Sequence, residues 1–496
     1  MTLSKSRFTT GWQCEKLLWW TVHEPEAREL EPGKVLEDLF DQGRAVGELA
    51  RTRFPGGILI DFPHKAYAER IAATRKALEI DPPVPIFEAG FEAGGVFVAV
   101  DVLLPGPDGW TLIEVKSSSS VKEEHVPDAA VQTWVLRQAG VPITRVELMH
   151  LNREYRHPDR GELLVREDIT GAVEEFLPRV APLVERLRQT LAGPLPEKPV
   201  GAHCYAPRDC PFFDRCWDQS PTHIRFLTGV GPVKTVQYLE AGITTIEQLD
   251  PKKKLSFTAQ RQIRAMKEAR LVIEPTLGGE LEKLEYPLGY LDFETVARAV
   301  PPWTGLAPWG PAVAQFSYHE EAADGSHHHV GWLAEGPGDP RRELAERMLE
   351  ATRNARRVVT YSSYEKSRIR ELAAFLPDLA PELEALIGKF VDLLKVMRDC
   401  VYHPGFRGSF SLKDVITPLV SDLSYDDLVI VDGRVASVEI ARLLFVAHRI
   451  PPAERDRVRH DLLEYCKRDT WATVRLVHRL RELAASGSGR SDRSEA

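Results

Sequence analysis

The chain has no apolar run approaching the roughly 20 consecutive residues that a membrane-spanning helix needs, so no role at a membrane is expected. Its opening stretch, MTLSKSRFTTGWQC, lacks the apolar core of a secretory signal. Cysteine is scarce. Six in 496 residues argue against a disulfide scaffold and for a reducing, cytoplasmic setting. Positive charge is also in deficit: 64 Lys and Arg stand against 73 Asp and Glu, a net −9. No basic footprint covers the whole chain, and any contact with a polyanion must come from local patches. The phosphate-binding pattern GxxxxGK[ST] is missing, which excludes a P-loop motor within this sequence.

What is present suffices for sizeable cores. Hydrophobic residues make up 43%, and 496 residues call for two to four domains. The pattern divides into four parts. Residues 1–218 end at a cysteine triplet, and 219–284 carry two glycine-bearing helical patterns. Residues 285–485 open on a strand and close on a long helical pattern, and 486–496 form a small polar tail expected to be disordered. The fold class read from this is multidomain α/β.

Residues 95–104 and 110–116 read as strands joined by the Pro-Gly-Pro-Asp-Gly turn at 105–109. Folded about residues 107 and 108, this hairpin sets Asp101 opposite Glu114, about 5 Å apart, where both could share one divalent ion. Lys116 falls on the face of Glu114 by the period of two and could hold an attacking water or a phosphate. Glu88 on the preceding strand adds a further acid, and Gln132 lies on a helix beginning near Ala129. The plain alternative is a surface Glu–Lys pair, because D-x12-E-x-K recurs by chance.

Cys14 stands alone upstream, and Cys204, Cys210 and Cys216 follow as C-x5-C-x5-C. Four thiolates suit a structural zinc or a [4Fe–4S] cluster. Zinc sites usually pair cysteines two to four residues apart, so gaps of five favour iron–sulphur. Either group would staple the first helix to the last segment of the domain. Cys400 and Cys466 lack such company and read as structural.

With these motifs, residues 1–218 resemble the RecB-like branch of the PD-(D/E)xK nucleases, a restriction-endonuclease-like fold. The likeness is greatest to its iron–sulphur members among recombination and CRISPR-associated exonucleases. The resemblance implies a catalytic set of Asp101, Glu114, Lys116 and Gln132, with Glu88, Asp101 and Glu114 as ligands of Mg²⁺ or Mn²⁺. It also implies a [4Fe–4S] cluster on Cys14, Cys204, Cys210 and Cys216. Gly47 stands where a helical histidine is often found in that family, and Leu136 where a tyrosine is frequent.

The patterns at 226–234, with Gly229 and Gly231, and at 242–249 look like a helix–hairpin–helix. Such an element grips phosphate through backbone N–H groups without reading sequence. Residues 221–276 hold nine Lys and Arg, including Lys252-Lys253-Lys254, against five acids, which is 9 − 5 = +4. A solvated helical face is the alternative.

Asp292 and Glu294 share one face of a short strand. Tyr465 and Asp469, at i and i+4, share one face of a helix. Strand acids plus a helical acid are what a two-metal phosphoryl-transfer site requires. Residues 286–480 accordingly resemble DEDD-type exonucleases of the ribonuclease H-like fold, in which D-x-E opens the first strand and Y-x3-D marks the tyrosine subclass. The resemblance implies catalytic roles for Asp292, Glu294, Tyr465 and Asp469, with these three acids as metal ligands. It takes Glu365 as the remaining acid and Asp392 as its alternative. Residues 409–413 read as a turn, with contact to a nucleic-acid backbone as the alternative, and His327-His328-His329 as a solvated turn in a Gly-Ser loop.

The expectation is therefore a metal-dependent nuclease acting on DNA in repair, recombination or defence. With no motor of its own, it would rely on a helicase or another DNA-processing protein for unwinding. The alternatives are a single live site out of two, a non-catalytic iron–sulphur DNA-binding or redox-sensing protein, and a zinc scaffold.

Overall fold

A computed structural model of the protein describes residues 3–63, 66–250 and 255–488. Lys252, Lys253 and Lys254, and the tail from residue 489, lie outside the described residues. The chain forms two units: Met1–Trp217 together with Arg298–Gly310, and Asp218–Ala297 together with the chain from Pro311 onward. Among the described residues no helix is long and apolar enough to cross a membrane.

The first unit is built on a mixed seven-stranded sheet. Its strands are β1 (Leu3–Ser4), β2 (Ile58–Leu59), β3 (Ile86–Ala93), β4 (Val96–Gly106), β5 (Gly109–Lys116), β6 (Ile143–Leu151) and β7 (Leu164–Asp168). They lie in the order β2-β3-β4-β5-β6-β7, with β1 added beside β4. Tight turns make β3, β4 and β5 antiparallel, whereas β5 and β6 run parallel and need a crossover. The helix His125–Gln138 supplies it. Ala129, Ala130, Val131, Val135 and Leu136 of that helix are all fully buried, so nearly its whole circumference is core.

Arg298–Gly310 joins this unit although the sequence pattern grouped it with the third segment. Arg298 bonds Asp38 at 2.6 Å, Ala299 N–H donates to Gln42 Oε1 at 2.6 Å, and Trp309 Nε1–H donates to the Ser117 carbonyl at 2.6 Å. Contacts over such sequence separations leave no local pattern.

The second unit holds β8 (Val272–Ile273), β9 (Leu288–Val296), β10 (Ala312–Glu321), β11 (His327–Leu333), β12 (Arg357–Thr360), β13 (Phe390–Asp392) and β14 (Val401–Tyr402). Five strands form one sheet in the order β11-β10-β9-β12-β13. The first three are antiparallel and the last three parallel. The 37-residue helix Pro452–Ser488 packs against β9 and β10. It runs a turn beyond the expected domain end at 485.

Three expectations are corrected here. His327, His328 and His329 are not a turn but the start of β11, paired with Glu321, Glu320 and His319. The turn lies just before them, where Ser326 N–H bonds Asp324 Oδ1 at 2.9 Å. Strand pairing, not composition, decides their state. The second helix of the expected hairpin module is a single 3₁₀ turn, Ile246–Gln248, closed by a Thr245/Gln248 capping box. The segment still keeps a core of its own from Ile224, Leu227, Tyr238, Ile246 and Ile263. Arg261, counted as a surface cation, is buried and bonded to Glu274 at 2.8 Å and to the Arg398 carbonyl at 2.7 Å. It ties the module to the helix Leu393–Cys400 and is not free to meet a polyanion.

Candidate functional sites

The hairpin β4–β5 folds about residues 107 and 108, with Gly106 paired to Gly109 and Val102 to Ile113. The same register sets Asp101 opposite Glu114. On the other side of β4, the pairs Phe87–Val102 and Ala89–Val100 bracket Glu88 opposite Asp101. Three acids thus form a row across adjacent strands. Glu88 has a left-handed φ of 56°, a strained backbone for a residue with a Cβ. A cleft of about 410 Å³ reaches Glu88 and Asp101, and Arg51, Arg70 and Gly47 line it as well.

Glu114 is almost wholly buried and fully engaged. Its Oε1 accepts from Lys116 Nζ at 2.7 Å and from Lys5 Nζ at 2.8 Å. Its Oε2 accepts from Gln132 at 2.7 Å and from Lys5 at 3.1 Å. Lys116 also donates to Asp128 at 2.6 Å. Burial opposes the charge on Glu114, but the two ammonium groups hold its carboxyl far below the usual range. Asp101 moves the other way: burial and the charge of Glu114 push it up to about 7. Burial raises Glu88 as well, against the pull of Arg70 and Arg51.

Sequence reasoning missed Lys5 and Asp128. Asp128 lies four residues before Gln132, so helical spacing could have flagged it. Lys5 has no local signal.

The Asp101 shift has a definite sign. An unfolded aspartate ionises near pH 4, the folded one near 7. Between these values the folded state holds the extra proton, so metal-free stability falls as pH rises through this window. A divalent ion must displace that proton. Mn²⁺ affinity at this site is therefore expected to rise about tenfold per pH unit up to about pH 7 and then level off. Titration calorimetry showing a flat profile would remove Asp101 as a ligand.

Cys14, Cys204, Cys210 and Cys216 line one small cavity, walled by Trp20 and Phe212. All four are free thiols. Gln13 straps the first helix to the cysteine loop, donating to the carbonyls of His203 at 2.9 Å and Arg208 at 2.7 Å. Burial pushes the Cys210 thiol up to about 11, and the charges of the other three cysteines act in the same direction. The donor set fits a thiophilic centre, whose positive charge would reverse that penalty.

In the second unit, Asp292 and Glu294 project from central strand β9, and Asp469 from the helix Pro452–Ser488. Each offers a ligand oxygen, all within 4.8 Å of one another. Glu365, in the first turn of the helix Tyr364–Phe375, lines the same cleft of about 590 Å³. Asp392, the alternative, instead caps the helix Leu393–Cys400 by accepting from Lys395 N–H at 3.2 Å. Burial raises all four carboxyls, and mutual repulsion adds to this at Asp292 and Glu294. Glu365 reaches about 7.

Tyr465 and Asp469, one helical turn apart, line the same cleft as their spacing requires. Three partners went unpredicted. Lys413, in the segment read as a turn, follows the cap Ser411 of the helix Leu412–Leu419 and donates to the Tyr465 hydroxyl at 3.0 Å. Tyr425 donates to Asp469 Oδ1 at 2.6 Å. Cys466, read as structural, lies with its Sγ 3.5 Å from Asp292 Oδ2. Lys413 and Tyr425 come from separate segments with no local mark, whereas Cys466 directly follows Tyr465 in the recognised motif and could have been flagged by it.

Residues 289–411 match a family model described as a domain of unknown function, DUF2779. The match takes in Asp292, Glu294 and Glu365 and stops short of Tyr465 and Asp469. No curated protein matches the chain.

Proposed function

We propose that the protein is a divalent-metal-dependent nuclease that hydrolyses phosphodiester bonds of DNA. The observation that carries this reading is the convergence of Asp292, Glu294 and Asp469 on ligand positions within 4.8 Å, beside an open cleft. Carboxyls this close and this desolvated resist ionising together unless a cation offsets their charge. Their spacing suits two Mg²⁺ or Mn²⁺ ions, which when bound would supply Lewis-acid stabilisation and a water activated at neutral pH. Tyr465, steadied by Lys413, would orient that water. Lys413 and Arg434 line the cleft and offer charge to a phosphate backbone.

The strand order of the second sheet, with antiparallel strands leading into parallel ones, supports a ribonuclease H-like reading. The row of Glu88, Asp101 and Glu114 with Lys116 supports a PD-(D/E)xK reading of the first unit. There the Lys116 ammonium would stabilise charge developing on the phosphate. The four converging thiols support a [4Fe–4S] cluster in a reducing, cytoplasmic setting. Cys210→Ser is expected to abolish visible absorbance of anaerobically purified protein; an unchanged spectrum would remove the cluster. The turns at Gly229 and Gly242, each with φ of 75°, would bring backbone N–H groups to phosphate. A helicase or similar DNA-processing partner would supply unwinding.

One observation favours a second reading, in which only the second unit cuts. Lys5 already contacts both oxygens of Glu114, so a metal ion using that carboxylate must displace an ammonium group.

The test is Mn²⁺-dependent cleavage of labelled single-stranded DNA, beside matched RNA, by the anaerobically purified full chain. Activity lost in Asp292→Ala alone supports the single-site reading. Partial loss in Asp292→Ala and in Lys116→Ala, with complete loss in the double variant, supports two working sites. No cleavage of any substrate by the wild type would reject catalysis in favour of passive binding or redox sensing.

A further inference from the structure

At the far end of the β9–β10–β11 sheet lies a second cluster of different chemistry. Glu321, at the end of β10, is paired in register with His327, the first residue of β11. His478, on the helix Pro452–Ser488, brings its Nε2 to 2.7 Å from Glu321 Oε1. The three residues offer ligand atoms within 4.8 Å of one another. Glu321 is 3% exposed, and its second oxygen is held from behind by the Tyr290 hydroxyl at 2.7 Å. That hydrogen bond sets the direction of the carboxylate, so that Oε1 faces the imidazoles, with the Tyr286 hydroxyl at 3.4 Å on its other side. His327 is exposed and His478 half-buried, so the cluster opens to solvent on one side. The nearby His319 and His329 are engaged elsewhere, with Thr470 Oγ1 at 2.8 Å and Ser317 Oγ at 3.0 Å.

We propose that Glu321, His327 and His478 form a binding site for a zinc-class divalent cation, with a fourth position open to water. Two imidazoles and one carboxylate suit Zn²⁺ or Co²⁺, whereas Mg²⁺ and Ca²⁺ prefer all-oxygen sets such as Asp292, Glu294 and Asp469. The Tyr290 hydroxyl provides the outer hydrogen bond that ligating carboxylates commonly receive. An ordinary ion pair would account for His478 and Glu321, while the β10–β11 register and an edge-on contact with Trp471 at 5.3 Å bring His327 to the same point, so that three donors converge. His478 lies nine residues beyond Asp469 on one helix, about 14 Å along its axis. An ion here would clamp edge strand β11 to the helix that carries Tyr465 and Asp469. The site is independent of the nuclease reading.

The test is Zn²⁺ binding by the full chain, prepared anaerobically, in equilibrium dialysis with excess Mg²⁺ to fill the carboxylate sites. The wild type is compared with His327→Ala, His478→Gln and Cys210→Ser. His327 is exposed at the sheet edge, so its truncation removes little packing, and circular dichroism checks the fold. His478→Gln keeps a hydrogen-bond donor for Glu321. The expected result is loss of one bound Zn²⁺, or weakening by about 100-fold or more, in both histidine variants, with that equivalent kept in Cys210→Ser. Co²⁺ at the site is expected to show no thiolate charge-transfer band. Equal Zn²⁺ stoichiometry and affinity in wild type and both histidine variants would overturn the proposal. So would loss of the equivalent in Cys210→Ser alone.

Discussion

Asp292→Asn is expected to raise the melting temperature of the metal-free protein while removing the Mn²⁺-dependent cleavage proposed for the second unit. Asp292 is pushed up by burial and by the charges of Asp469 and Glu365, and Glu294 by burial and by Asp292. Without cations the cluster is a site of repulsion held together by the surrounding fold. Asparagine keeps the shape and deletes one charge. A gain of roughly 2–6 °C in EDTA follows if about 1–2 kcal/mol of repulsion is relieved in a domain of this size. Activity should fall by about 10³-fold, and added Mn²⁺ should stabilise the variant less than the wild type. Calorimetry with and without Mn²⁺, beside a cleavage assay, reads both effects. A lower melting temperature in EDTA would mean that Asp292 serves the fold rather than a metal.

Glu114→Gln is expected to lose activity and stability together. Glu114 is the anion between two mostly buried ammonium groups, Lys5 and Lys116, with side chains 24% and 27% exposed. Neutralising it leaves both lysines with Asp128 as the nearest anion. Removing one partner of a buried pair costs about 3–5 kcal/mol, which corresponds to roughly 10 °C here. Lys116→Ala is milder, because Lys5 and Gln132 still satisfy Glu114. The cleavage proposed for the first unit should drop by at least about 10²-fold in both variants. Stability unchanged in Glu114→Gln would show that the two lysines are not held by this charge. One row of acids thus contains a carboxyl that holds its proton up to about pH 7, Asp101, and one already paired with two ammonium groups, Glu114.

The hairpin that aligns Asp101 with Glu114 was legible because its turn and its period of two are local. Two residues between Gly106 and Gly109 leave a single register. Asp292 with Glu294, and Tyr465 with Asp469, were legible for the same reason: a strand or a helix places its own residues. The histidine run was misread because composition cannot tell a solvated turn from an edge strand whose partner lies upstream. The Gly242 segment was misread because glycine and an apolar pattern describe one 3₁₀ turn as well as a longer helix.

By itself the sequence determined the periods, the turns, the four-cysteine spacing and which short segments carry acids. Only the tertiary structure decided that Lys5 reaches Glu114 across 109 residues of chain, that Lys413 steadies Tyr465, and that Glu365 rather than Asp392 faces Asp292. It also brought Glu321, His327 and His478 together. The physical reason is the same in each case. Backbone geometry repeats every two or 3.6 residues and says where a side chain stands on its own element. Which elements then face one another is decided by burial of whole apolar surfaces, a property that no single segment carries.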